Sequence, residues 1–519
     1  MRTQLPIPPC AHCALNRRDF LKTSGAACAG AFGAVLLPTA LPVRPSGDPV
    51  RIRILYALHG EQQTVPDWPN VGFDFRPVME RFTSELVARC PGLEFSPSMT
   101  AGPEETDRIL ADDPDVDGYV VFQMNCWNRV VQSAAVTGKP VLYIDFKYAG
   151  SGGFLVYTSA FLRAGAPNVG FVASSRIEDV AAAVRCFELV KRGASVGDFV
   201  AATARARRAA TPPPGDATCH PDHVATLTPE DCLLAMRDSP ILAVRDQEAR
   251  PGGTIMDMPV QFIPFAEVNE AWASADRDEA RAVADRWERT ASVVSGVDRE
   301  TLDTSAAMYL GMKAVLARHG ARAITINCLG GFYGGHIHAY PCLGFFELNN
   351  EGLVGACECD LRSTSTMMAL TTLTRGRPGY ISDPVIDTAK RQIVYAHCVA
   401  SNRVFGPEGP VNPYQILTHS EDRQGASVRS IFPLEYMTTT LEFFQERKEI
   451  LLHQGKAVAN DPDDRACRTK LAVEPVGDIE KLFTMWDRWG WHRVTIYGDL
   501  KEPLYALADA MDWTVVEEA

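Results

Sequence analysis

Val50-Arg-Ile-Arg-Ile-Leu-Tyr-Ala-Leu58 alternates apolar and polar residues and then turns wholly apolar, the pattern of a strand entering a buried sheet. Residues 76–90 follow with Val78, Met79, Phe82, Leu86 and Val87 at helical spacing. Residues 116–124 predict a second strand, 127–136 a helix and 140–145 a third strand, with Gly150-Ser-Gly-Gly-Phe154 as a loop behind it. This β/α alternation predicts a parallel sheet with helices on both faces.

Working outward, residues 178–192 read as a helix, and Thr211-Pro-Pro-Pro-Gly215 as a surface turn or linker. A second α/β unit follows. Its strands are Ile241–Val244 and 323–327, its helices 279–294 and 304–319, and a Gly-rich loop spans 330–335. Beyond residue 355 the texture changes to short strands between Gly and Pro turns, among them Gln392–His397, 427–433 and Arg493–Tyr497. The expected fold class is α/β, with two Rossmann-like parallel-sheet domains (41–175 and 176–355) followed by a more β-rich C-terminal domain (356–519).

Length and composition set bounds. At about 100–200 residues per domain, 519 residues make two to four domains. Hydrophobic residues at 46 % and charged residues at 22 % exclude disorder, collagen and coiled coil as the main architecture. With 51 basic and 64 acidic residues the net charge is −13, which disfavours a nucleic-acid partner. No apolar run approaches the ~20 residues of a membrane span. Arg17-Arg18-Asp19-Phe20-Leu21-Lys22, a Gly/Ala-rich stretch and Pro38-Thr39-Ala40 form the pattern of a twin-arginine export signal over 1–40. Export by that route, to the periplasm and in the folded state, is the expected localisation. Losing residues 1–40 removes a net +3 and takes −13 to −16. Eleven of 14 cysteines remain, scattered and odd in number, with no zinc-ribbon spacing, so they read as buried small apolar side chains.

The chemistry concentrates in Gly355-Ala-Cys-Glu-Cys-Asp-Leu361 and Gly379-Tyr-Ile-Ser-Asp-Pro384. Leu361, Met368, Leu370 and Leu373 predict a helix between them, stopped by Gly376 and Pro378. Residues 361–374 as helix advance about 21 Å, and 377–383 as strand return about 23 Å. If the chain doubles back, Asp383 arrives level with Glu358, and two carboxylates on adjacent strand ends can share one divalent cation. There is no Walker motif, Gly-x-Ser-x-Gly elbow or zinc-protease signature, so nucleotide and acyl-transfer chemistry lack support.

The same segments resemble the C-terminal half of the L-fucose isomerase-like enzymes, which share a superfamily with L-arabinose isomerase. Tyr395-Ala-His-Cys398, Leu417-Thr-His-Ser420, Cys467-Arg-Thr469 and Trp491-His-Arg-Val-Thr-Ile-Tyr-Gly-Asp499 extend the resemblance, as do Pro341-Cys342 and Leu348-Asn-Asn-Glu-Gly352. It is specific over 320–500 and rests on element order over 50–320. It implies a metal-dependent aldose–ketose isomerase with Glu358, Asp383 and His492 as ligands, and Glu358 and Asp383 as the acid/base pair. Two carboxylates and an imidazole suit Mn²⁺, with Mg²⁺ or Fe²⁺ as alternatives. The carboxylate spacing departs by one residue from that of L-fucose isomerases, which leaves the sugar open. The resemblance also implies a homo-oligomer. An exported, non-catalytic carbohydrate-binding protein on the same fold is the alternative reading.

Other residues carry a functional and a structural reading side by side. Trp127 and Asn128 follow a strand's carboxyl end, where open α/β sheets bind ligands, and either contact substrate or start a helix. His397 and His419 are second-choice ligands or substrate contacts, or buried hydrogen-bonded groups. Arg468 holds a sugar hydroxyl or forms an ion pair. His336 and His338 would share a strand face, but beside Gly334-Gly335 they read as loop residues.

Overall fold

The structure, a computed structural model, describes residues 49–112, 114–245 and 248–519. The twin-arginine segment and its cleavage site, within 1–40, lie outside the described residues. Among those described, no helix is long and apolar enough to cross a membrane.

The first sheet is all parallel. Strands β1 (Val50–Ala57), β2 (Leu93–Thr100), β3 (Gly118–Gln123), β4 (Val141–Asp145) and β5 (Val169–Val172) lie in the order β2-β1-β3-β4-β5. The strand order reverses between β1 and β3, so the crevice at their carboxyl ends is the natural ligand position. Of this sheet the sequence pattern places neither β5 nor β2, and β2 shows why. As an edge strand it buries Leu93 and Thr100 and exposes much of the rest, and it tolerates Pro97 where a central strand would not.

The second sheet comprises β6 (Ile241–Val244), β7 (Arg250–Ile255), β8 (Met258–Ile263), β10 (Ala323–Ile326) and β11 (Val354–Cys357), in the order β11-β10-β6-β8-β7. Only β7 runs antiparallel. Between β8 and β10 in sequence, β9 (Val293–Ser295) leaves this sheet and pairs with β14 (Tyr414–Leu417), which pairs with β15 (Ser427–Ser430).

The C-terminal strands β12 (Tyr380–Asp387), β13 (Gln392–His397), β16 (Met437–Phe444), β17 (Glu449–Asn460), β18 (Thr469–Pro475) and β19 (Arg493–Tyr497) close into a six-stranded antiparallel barrel, ordered β16-β19-β12-β13-β18-β17 and sealed by β16–β17. β20 (Thr514–Glu517) adds in parallel outside β17. The chain is thus mixed α/β with a more β-rich C-terminal region, as its sequence indicates. The helix Leu361–Leu373 is buried from Ser363 through Leu373 because it lies between the second sheet and the barrel. A helix apolar on one face only could not fill that position.

Two segments expected as loops are helical. Gly150–Phe154 enters the helix Ser151–Ala164, and 330–333 belong to the helix Cys328–Tyr333, leaving Gly334-Gly335 as the turn. The glycines near residue 150 serve packing rather than chain breaking. A Cβ at Gly150 would stand 1.9 Å from the Gln123 carbonyl oxygen, and one at Gly152 3.0 Å from the Trp491 ring. Gly150→Ala is therefore expected to lower stability by about 1–3 kcal/mol, because backbone must move to admit it. Urea unfolding of both chains measures this.

The barrel end nearest the first sheet is fixed by Arg493. Its guanidinium is fully buried, lies 3.9 Å over the Trp486 ring and donates to Glu518 Oε1 at 2.8 Å. It also donates to the carbonyl oxygens of Gly490 and His492 at 2.9 and 3.0 Å, which sets the backbone leading into β19. Burial opposes the charge on Glu518, but Arg493 and His453 outweigh it and hold its pKa near about 2, against an ordinary 4.5. A carboxyl depressed by folding stabilises the protein above its unfolded pKa and ceases to do so as pH falls through about 2. The shift corresponds to roughly 3 kcal/mol at neutral pH. Glu518→Gln is expected to cost about that much, and the gap from the parent chain should narrow between pH 4.5 and about 2 in denaturant titrations.

Candidate active site

Glu358 stands immediately past β11, at the carboxyl end of a parallel strand. Glu358 and Cys359 take φ of +64° and +52°, a left-handed region that non-glycine residues seldom enter. The sharp turn throws the Glu358 side chain off the sheet end before the helix Leu361–Leu373 begins. Asp360 caps that helix: Oδ1 accepts from the Arg362 and Ser363 amides at 3.0 and 3.3 Å. Its Oδ2 lies 2.9 Å from His492 Nδ1. One carboxylate thus ends a turn, starts a helix and orients a histidine.

Barrel register brings up the other members. Asp383 of β12 faces Ala396 of β13, one residue before His397, and Ser382 pairs with Arg493, one residue after His492. The structure places His492 Nε2 3.5 Å from Glu358 Oε2 and 3.1 Å from Asp383 Oδ1. His397 Nε2 lies 3.7 Å from Glu358 Oε1 and 4.0 Å from Asp383 Oδ2. One ligand atom from each of Glu358, Asp383, His397 and His492 falls within 4.8 Å of the others.

This arrangement fits a divalent cation. Asp383 Oδ1, His397 Nε2 and His492 Nε2 are buried and make no hydrogen bond, a costly state for three polar atoms aimed at one point. A cation among them would satisfy the carboxylate oxygen and an imidazole lone pair together. The second ring nitrogens separate the two histidines. His492 Nδ1 donates to Asp360, which leaves the Nε2 lone pair free for a cation, the usual carboxylate–histidine–metal relay. His397 Nδ1 instead accepts the Cys398 amide at 3.0 Å, so in the neutral ring Nε2 carries the proton. To ligate through Nε2, His397 would have to shift that proton and give up the Cys398 bond. Asp360→Asn keeps the helix cap but weakens the relay, and divalent-cation affinity is expected to fall about 10–100-fold, read by titration calorimetry.

Burial pushes the Glu358 carboxyl up to about 7 and Asp383 adds to the rise, while His492 and His397 oppose it. Its side chain nonetheless keeps 31 % of its surface open toward the cleft. Burial works against charge on His492, but Glu358, Asp360 and Asp383 outweigh it and hold the imidazole well above its ordinary range, so without a cation Nε2 carries a proton that a cation would have to displace.

Glu358 and Asp383 form the floor of a cleft of about 80 Å³ that opens to solvent. Its walls are Trp68 from the segment after β1, Trp127 from the segment after β3, Trp491 before β19, and Tyr333, with Asp67 and Glu421 among the polar groups. The cleft therefore sits at the β1/β3 reversal of the first sheet and at the carboxyl end of β11. Trp127 and Trp491 meet edge to face, with centroids 6.2 Å apart.

The remaining sequence-derived residues divide. Trp127 lines the cleft. Asn128 is buried and its amide is taken up locally, accepting from Gln123 Nε2 at 3.0 Å and donating to the Asn125 carbonyl at 3.1 Å. His419 is buried against Asp422, 3.2 Å from its Oδ1, with the Phe332 ring alongside. Arg468 donates to the Thr418 carbonyl and hydroxyl at 2.8 and 2.9 Å and pairs with Asp464, the structural reading of its charge. His336 and His338 are exposed, beside Phe265 and Trp272, away from the cluster. Asp360, Trp68, Tyr333, Glu421 and Trp491 join the site through the fold rather than through any pattern of their own. Asp360 and Trp491 lie inside quoted motifs, and Glu421 directly follows Leu417-Thr-His-Ser420, so neighbourhood was their only signal.

No protein-family model matches the chain. It is similar to curated proteins named sulfoquinovose isomerase. It is 25 % identical over 264 residues to one from Clostridium sp. (strain MSTE9), covering 49 % of this chain and 56 % of that protein. It is 29 % identical over 231 residues to one from Priestia aryabhattai and to one from Priestia megaterium, covering 42 % of this chain and 50 % of each. The chain spans about half the length of the curated relatives it matches.

Proposed function

We propose that the chain is a metal-dependent aldose–ketose isomerase acting on a monosaccharide. One observation carries this reading: Glu358, Asp383 and His492, from the second sheet and two barrel strands, converge with unsatisfied polar atoms on the floor of an aromatic-walled cleft. The similarity to sulfoquinovose isomerases agrees with it. Glu358, Asp383 and His492 would hold the cation, with Mn²⁺ first and Mg²⁺ or Fe²⁺ as substitutes, since hard oxygen donors with one imidazole suit that class. When bound, such a cation polarises the sugar carbonyl and steadies negative charge on the adjacent oxygen.

The protein's own groups do the rest. Trp68, Trp127 and Trp491 enclose the sugar and displace water from its faces. Glu358, the carboxylate with the more open side chain, takes the proton from the carbon next to the carbonyl. The same carboxyl returns it to the former carbonyl carbon while the O2 hydroxyl proton passes to O1, so the ene-diol closes to the ketose. Asp383, nearly fully buried, holds the second edge of the cation site and with Glu358 fixes the vicinal oxygens in place.

The test is a panel of aldoses and ketoses, sulfoquinovose among them, incubated with the purified chain with and without Mn²⁺. Interconversion of at least one pair, lost on chelation, is the expected result. Inertness toward the whole panel with the cation bound points instead to a carbohydrate-binding protein. We further propose export in the folded state by the twin-arginine route, supported by Arg17-Arg18 and by the cysteines buried in the described residues, among them Cys90, Cys126, Cys232 and Cys328. Cell fractionation of the full chain against an Arg17-Arg18→Lys-Lys variant tests it.

A further inference from the structure

The wall of the cleft holds a second proton-handling group that the isomerase chemistry does not use. Glu421 is 9 % exposed, lines the same cleft as Glu358 and Asp383, and accepts the Tyr333 hydroxyl proton on Oε2 at 2.7 Å. Its backbone is pinned as well, since the Glu421 carbonyl accepts the Val71 amide at 2.7 Å. A carboxyl this enclosed, with one oxygen held by a phenol and the other unclaimed by it, is placed to exchange protons with a bound sugar.

We propose that Glu421, positioned by Tyr333, gives this cleft a second activity: opening and closing the hemiacetal ring of an aldose, and so interconverting its anomers, without any metal. The step balances within the sugar and one carboxylic acid. The Glu421 acid proton passes to the ring oxygen as the C1–O5 bond breaks. The electron pair of that bond leaves with O5, the proton on O1 passes to the other Glu421 oxygen, and C1=O1 forms. The carboxylic acid is regenerated with its proton on the opposite oxygen, and ring closure on either face of C1 runs the same transfers backward. No co-reactant is needed. Ring opening also supplies the open-chain aldehyde that an ene-diol route requires.

The protonation state agrees with this role. Burial pushes the Glu421 carboxyl up to about 8, Asp67 and Cys398 add to the rise, and His419 and Tyr333 oppose it. The acid form is therefore available at neutral pH.

The inference shares with the proposed isomerase only the premise that the cleft takes an aldose, and its test separates the two. Anomer exchange is measured by NMR magnetisation transfer on a panel of aldoses, with the chain stripped of divalent cations by chelation. Exchange is expected to exceed the uncatalysed rate at least about tenfold for some sugar under these cation-free conditions, in which isomerisation is absent. It should fall to the uncatalysed rate in Glu421→Gln and decline as pH passes 8 in the parent chain. Tyr333→Phe, a milder change that leaves the carboxyl in place, should retain exchange while shifting that pH limb. No acceleration with any sugar, or acceleration undiminished in Glu421→Gln, overturns the inference whatever the isomerase result. Anomer exchange without isomerisation at any cation level upholds it and refutes the isomerase.

Discussion

Replacing Glu358 by Gln lowers aldose–ketose turnover about 10³-fold while leaving the chain folded. Gln keeps the volume and one oxygen at the end of β11, so the left-handed turn at 358–359 and the helix capped by Asp360 should survive. What disappears is a group able to take and return a carbon-bound proton, and general acid/base groups commonly contribute 10²–10⁴-fold. The loss of one anionic ligand adds to it. Circular dichroism and unfolding midpoints should match the parent chain, which separates this outcome from misfolding. An unchanged turnover number would remove Glu358 from the chemistry.

Replacing His492 by Ala should weaken divalent-cation binding about 10³-fold, beyond the 10–100-fold typical of an outer partner such as Asp360. His492 Nε2 is the imidazole nitrogen whose lone pair the Asp360 bond directs at Glu358 and Asp383. His397→Ala is expected to change affinity less, because the Cys398 amide keeps the His397 proton on the nitrogen that faces the carboxylates. The contrast between the two variants, read by the same calorimetric titration, distinguishes ligand from neighbour. Equal losses would show that both imidazoles bind the cation.

What the sequence makes legible follows from what each segment does alone. The central strands β3, β4, β6 and β10 are short and mostly apolar because both faces are covered, and β1 alternates only in its first half, so all five can be read directly. Edge strand β2 carries Pro97 and exposed polar residues, since nothing covers its outer side, so its pattern resembles coil. The glycines at 150–153 carry the composition of a loop, yet they are glycine because Gln123 and Trp491 press against a helix start. Barrel closure by β16–β17 joins distant strands and leaves no local trace.

The site divides in the same way. The interval from Glu358 to Asp383 can be measured along one helix and one strand, so their proximity follows from chain geometry. His492 lies more than a hundred residues further on, and only family resemblance picks it out. The role of Asp360 depends on His492 arriving beside it, and that of Glu421 on Tyr333 and a cleft assembled from three regions. Long-range partners of this kind cannot be read from spacing. Arg468 and Asn128 show the converse: polar residues near the right strand ends whose hydrogen bonds are consumed within the scaffold.

The most direct measurement is equilibrium binding of Mn²⁺ to the purified chain, followed by electron paramagnetic resonance of the free ion, for the parent and for Glu358→Gln, Asp383→Asn and His492→Ala. One ion per parent chain, with affinity collapsing in each of the three variants, is the expected outcome. A parent chain that takes up no ion, or variants that hold it as tightly as the parent, would show that these side chains do not share a cation.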